Sequence, residues 1–241
     1  MTSSKLAGKN VVIIGGTAGI GLAAAVAAAQ LGANVWAAGR TEANIEKARA
    51  VADGKFKVVQ ADTHDAGALK SLFEEVGTID HLVSAAIGGE RTLKPFLEQT
   101  EEQFKAAYDK LWGYAKVVRS GAPYLAENGS ITLVSGSPAR KIKPSQSPLS
   151  CVGASVENLA RCLAVEMAPI RVNIVSPGTV STAMFDWMGD DKEEKLNAMT
   201  ATHLIKRAGT SEEVAEGILF VMQNEFVTGT TVDVDGGRIL S

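Results

Sequence analysis

The stretch Val11-Val12-Ile13-Ile14-Gly15-Gly16-Thr17-Ala18-Gly19-Ile20-Gly21 decides the architecture. A short β-branched run stopped by glycines reads as a buried strand. The Ala-rich segment from Gly21 to Leu31 reads as a helix, with Gly32 as its stop. A glycine loop between strand and helix lets the backbone approach a pyrophosphate. The helix N-terminus then offers N–H groups and positive partial charge to it. The spacing is Gly-x-x-x-Gly-x-Gly, rather than the commoner Gly-x-Gly-x-x-Gly.

Outward from this loop the pattern repeats as strand, helix, strand. Strands are expected at 34–38, 57–60, 81–85, 130–134, 171–175 and 229–235. Helices are expected from Thr41 to Ala52, from Asp65 to Val76, over about 101–125 behind Thr100, and over about 152–167. Strands separated by helices imply an α/β fold: a doubly wound, Rossmann-type parallel sheet with helices on both faces. No linker, repeat or low-complexity tract interrupts the chain, so residues 1–241 read as one domain. The long irregular stretch before the last helix, with Met184, Phe185, Trp187 and Met188, reads either as a substrate lid over about 183–206 or as an ordinary surface helix pair.

Composition narrows the function. The chain has 241 residues, 46% hydrophobic and 21% charged, with a formal net charge of -3. That gives no basic field for nucleic acid or an anionic membrane. The only basic run, Arg140-Lys141-Ile142-Lys143, reads as a solvated loop. Two cysteines without metal or disulfide spacing fit a reducing cytosol. The polar start, Met1 to Asn10, has no apolar core of a signal peptide, and the apolar runs are too short for a membrane span. A cytoplasmic protein is expected.

Further segments give the loop its meaning. Asp62 follows the third strand and Ser135 ends the fifth. Ile170-Arg171-Val172-Asn173, Ser176-Pro177-Gly178-Thr179-Val180-Ser181-Thr182, Arg207-Ala208-Gly209 with Glu212-Glu213-Val214-Ala215, and Asp235-Gly236-Gly237 follow in order. Together with Gly15, Gly19, Ile20 and Gly21 they resemble the short-chain dehydrogenase/reductase family over nearly the whole chain. The resemblance implies a single-domain fold, a nicotinamide cofactor, and a homodimer or homotetramer built on the two central helices. It implies cofactor contacts at the loop, including Thr17 and Ala18. It also implies contacts at Asp62 and Thr63, at Ala85, Ala86 and Ile87, and at Pro177, Gly178, Val180 and Thr182. The family usually has Asn-Asn-Ala-Gly where this chain has Ser84-Ala85-Ala86-Ile87, so two asparagine side chains are lost.

The choice of dinucleotide rests on charge. An acid at the tip of the second strand would hold a ribose 2′-hydroxyl and repel a 2′-phosphate. Here the tip reads Ala38-Gly39-Arg40-Thr41, with a planar cation suited to phosphate. NADP(H) is expected. The competing reading makes Arg40 a plain surface residue.

The chemistry departs from the family. Its members usually protonate a carbonyl oxygen from a tyrosine, helped by a lysine one helical turn later. The tyrosines here are Tyr108, Tyr114 and Tyr124, and no lysine occurs between Lys143 and Lys192. Anchoring on Leu163-Ala164-Val165-Glu166 puts Leu149 at the tyrosine position and Gly153 at the lysine position. Lys110 stands where the family has an asparagine, and Ser135 is retained. Ser135 and Lys110 are therefore the catalytic candidates, with a salt bridge to Asp109 or Glu166 as the alternative role for Lys110. His203 and Asp186 are further proton sources, His203 being expected on the lid surface. Cys151 is expected to be a buried small hydrophobe. The resulting expectation is an NADP(H)-dependent oxidoreductase acting on a small-molecule C=O or C=N group with a non-standard proton donor. A preformed iminium would need no donor at all. The alternative is a protein that binds NADP(H) without redox turnover, as a gated binder, a non-redox catalyst or a structural subunit.

Overall fold

The computed structural model describes residues 4–89 and 92–241. Strands β1 (Asn10–Ile14), β2 (Asn34–Gly39), β3 (Lys57–Gln60), β4 (Ile79–Ser84), β5 (Leu125–Val134), β6 (Arg171–Pro177) and β7 (Thr231–Val234) form one sheet. Its order is β3-β2-β1-β4-β5-β6-β7, and every pairing is parallel. The order reverses between β1 and β4, which opens a crevice at their carboxyl ends.

Alternate strand residues feed two cores. Val12, Ile14, Leu82, Ile131 and Val172 pack with helices α3 (Ala66–Val76), α4 (Glu101–Gly121) and α5 (Ser147–Glu166). Val11, Ile13, Val83 and Val175 pack on the other face with α1 (Gly19–Gln30) and α7 (Ser211–Gln223). Helix α2 (Glu42–Ala52) runs between β2 and β3. Two buried groups lock the edge of the sheet away from the crevice. Arg171 donates to the carbonyls of Val221, Met222, Asn224 and Val227, satisfying the end of α7. His81 Nδ1 lies 2.8 Å from Ser130 Oγ, and burial lowers its pKa to about 4.

The largest boundary differences from expectation are at α4, α5 and β5. Helix α4 stops at Gly121, and Pro123 sits in the 3-10 turn Ala122–Tyr124 that follows. Helix α5 starts at Ser147, because Pro148 falls in its first turn, where no N–H partner is needed. Strand β5 begins at Leu125, with a register irregularity against Ile79 and His81. The 183–206 region contains the 3-10 segment Ala183–Asp191, kinked at Gly189 (φ 61°), and helix α6 (Lys192–Thr200).

Candidate active site

The loop after β1 folds back on its neighbours. Gly15 and Gly16 both donate to the Ala38 carbonyl at the end of β2, and Ala85 donates to the Ile14 carbonyl. Gly15 has φ +83°, and a Cβ there would lie 2.4 Å from the Ala86 nitrogen. At Gly21 a Cβ would lie 2.1 Å from the Gly15 carbonyl. Thr17 is buried against Gly39. The β1–α1 turn is thus pressed into the ends of β2 and β4, with no space for larger residues.

Helix α1 begins without a side-chain cap on its N–H groups, and its first turn carries no acidic residue. Across from it, Thr182 lies 3.6 Å from where a Cβ on Gly19 would stand. Arg40 and Thr41 are exposed past the end of β2. Asp62 accepts from the His64 amide, and Thr63 packs against Gly113 of α4. Gly178 is packed on the Asp235 backbone and donates to the Val234 carbonyl, while Val180 bridges to Gly209. An uncapped helix end, a glycine cradle and an exposed cation all line one crevice edge. These residues fit a phosphate-bearing dinucleotide. Pro177 is buried at the end of β6, and Ile87 is exposed beyond β4.

The catalytic candidates also meet. Lys110 Nζ lies 3.3 Å from the Ser135 carbonyl, to which it donates, and 5.4 Å from the center of the Tyr114 ring. Lys110 lines a small cavity with Gly88, Gly89, Thr92, Ala107, Pro148, Leu149 and Val152. Leu149, the residue expected at the tyrosine position, lines the same space as Lys110. Ser135 turns its hydroxyl onto α5, donating to the Gly153 carbonyl at 3.1 Å. A Cβ on Gly153 would lie 3.0 Å from that of Ala139, so any side chain there needs Ala139 to shift by a few tenths of an ångström. Glu166 lies 14 residues beyond Val152 on α5, about 21 Å along the helix, out of reach of Lys110.

Several expectations are corrected. His203 is buried, at 2% exposure, rather than on the lid surface; burial lowers its pKa, and Arg238 and Lys143 lower it further. Asp186 is exposed and paired with Lys192. Cys151 and Cys162 are both exposed, because they fall on the outer face of α5. Arg140 is not a freely solvated residue: it holds Asp233 of β7 and the buried Glu157 of α5, which raises its pKa and pins the turn after Ser135. Met184, Phe185, Trp187 and Met188 do not line the cavity around Lys110, and Trp187 is 76% exposed. Sequence reasoning missed Tyr114, although its i,i+4 spacing from Lys110 on one helix was visible. Among the described residues, no cluster of His, Cys, Asp and Glu could hold a metal ion, and no helix is long and apolar enough to cross a membrane.

Residues 15–238 match a family model described as enoyl-(acyl carrier protein) reductase. The chain belongs to the short-chain dehydrogenase/reductase family. It is similar to the short-chain dehydrogenase/reductase ucsE of Acremonium sp, 31% identical over 100% of this chain and 98% of that one. Another relative, ATR9 of Stachybotrys chlorohalonatus, is 32% identical over 97% and 98% of the two chains. The structure of the MalC reductase/Diels–Alderase from Malbranchea aurantiaca superposes with a TM-score of 0.89 at 31% identity, covering 99% of each chain. A small-chain dehydrogenase in complex with NADPH superposes with a TM-score of 0.81 at 30% identity, covering 97% and 100%. As a member of this family the chain is an oxidoreductase that uses a nicotinamide cofactor and acts on small molecules.

Proposed function

We propose that the chain is an NADP(H)-dependent reductase that adds hydride to a C=O or C=N carbon of a small organic molecule, with Lys110 serving the heteroatom in place of a tyrosine. The observation that carries this reading is the shared cavity. Lys110 and Leu149 line one space, so the missing phenol is matched by a nearby ammonium. A lysine ammonium has three N–H groups, and one goes to the Ser135 carbonyl. Ser135 then acts through its carbonyl, orienting Lys110, while its hydroxyl is held by Gly153. When bound, the nicotinamide supplies hydride. The chain's own part is to orient the acceptor and give an N–H, or a proton, to its heteroatom.

NADP(H) is favored by the exposed Arg40, which would pair with a 2′-phosphate. In this reading the α1 end and Gly15, Thr17, Ala18, Gly19, Ile20 and Gly21 hold the pyrophosphate side. Asp62 and Thr63 take the adenine, with Ala85, Ala86 and Ile87 beside the adenosine ribose. Pro177, Gly178, Val180 and Thr182 hold the nicotinamide side, and segment 183–206 serves as the lid. A homodimer or homotetramer would cover the outer α4–α5 groove, where Trp112 is 62% exposed beside Leu159 and Cys162. The two free cysteines accord with a cytoplasmic protein. Titration with NADPH and NADH, then NADPH oxidation across a carbonyl and imine panel, tests the reading. Tight NADPH binding and turnover of a panel member support it; no binding of either cofactor overturns it.

A second reading, a non-redox catalyst, has a specific support: the likeness to the MalC reductase/Diels–Alderase. Product formed with NADP+ replacing NADPH would favor it.

A further inference from the structure

We infer that Tyr114 is the positioning residue of this site, carrying Lys110 on its ring face. The inference rests on the reading of Lys110 as the donor. Tyr114 is four residues after Lys110 on α4, so the two side chains share one helix face. The Lys110 ammonium stands 5.4 Å from the ring center, within cation–π range. The ring itself is fixed. Tyr114 is 1% exposed, and its hydroxyl reaches the carbonyls of Ala86 at 3.1 Å and Val134 at 3.0 Å. Those carbonyls belong to the segments after β4 and at the end of β5. The phenol has one proton to share between these two carbonyls, so the hydroxyl sits between the two strand ends that flank the crevice.

Val134 precedes Ser135, whose carbonyl takes the Lys110 N–H. Ala86 meets the Gly15 turn. The ammonium is thus set from two sides, by a ring and a carbonyl that share the same anchor. The chain has exchanged a Tyr-x-x-x-Lys pair on α5 for a Lys-x-x-x-Tyr pair on α4, with the roles reversed. Here the lysine faces the cavity, and the tyrosine holds it from behind without touching the reacting atoms.

Tyr114→Leu removes the ring, and Tyr114→Phe keeps it. In cofactor-free protein, the Lys110 ε-methylene proton resonance is expected upfield from the ring current, retained in Tyr114→Phe and lost in Tyr114→Leu. In turnover, Tyr114→Leu is expected to lower kcat by about tenfold with KM for NADPH unchanged, and Tyr114→Phe to recover most of that loss. A resonance that does not move in Tyr114→Leu overturns the inference. So does a Tyr114→Phe variant that keeps the shifted resonance yet is as slow as Tyr114→Leu, since the ring face would then not matter. Wild-type turnover in Lys110→Met would overturn the donor reading separately, and the resonance would still decide the placement.

Discussion

On the β1–α1 side of the crevice, backbone does the work: Gly15 and Gly21 leave no space for a Cβ, and the α1 end is open. On the α4–α5 side, side chains do it: no tyrosine follows Tyr124 and no lysine lies between Lys143 and Lys192, while Lys110 lines one cavity with Leu149. A phosphate cradle made of backbone fixes glycines at set places, because any other residue collides. A proton-handling group only needs an N–H or O–H at the right point in space, so it can move to another helix.

The contrast can be broken at several places. Gly15→Ala forces a Cβ into the Ala86 backbone at a positive φ. We expect a loss of about 3 kcal/mol in urea melts and no NADPH binding. Lys110→Met should lower kcat/KM about 100-fold in steady-state assays while leaving NADPH affinity intact. Arg40→Asp should weaken NADPH by about 10- to 100-fold in fluorescence titration, with NADH little affected. Restoring the family pair by Leu149→Tyr with Gly153→Lys should give no gain in turnover, because the new side chain must displace Ala139.

A pH effect of a different kind lies far from the crevice. His81 is buried neutral, with a folded pKa of about 4 against 6.5 for the free side chain. Between those values the unfolded chain binds the extra proton. Stability should therefore fall as pH drops below 6.5, by ~1.4 kcal/mol per pH unit until about pH 4. His81→Asn should lose this part of the slope in melts taken from pH 7 to 4.

Most of the fold was legible because β-branched runs and caps sit where the strands and helices start. Asp65 caps α3 and Thr100 forms a capping box on α4, as their sequence positions imply. The exceptions were proline effects: α5, expected from about residue 152, starts at Ser147 with Pro148 in its first turn, and Pro123 sits in the turn that follows the early end of α4. The glycine turn after β1 was legible for the same reason, since Gly15 and Gly21 are fixed by local geometry. The catalytic side was not. Tyr114 matters through carbonyls at residues 86 and 134, and only tertiary packing brings those together. His203 carries no periodic signal that would reveal its burial.

The most direct measurement pairs two readouts on Lys110→Met and wild type: NADPH affinity by fluorescence, and NADPH oxidation with any accepted carbonyl or imine. The account predicts unchanged affinity with turnover reduced about 100-fold. Turnover at the wild-type level in Lys110→Met would contradict it.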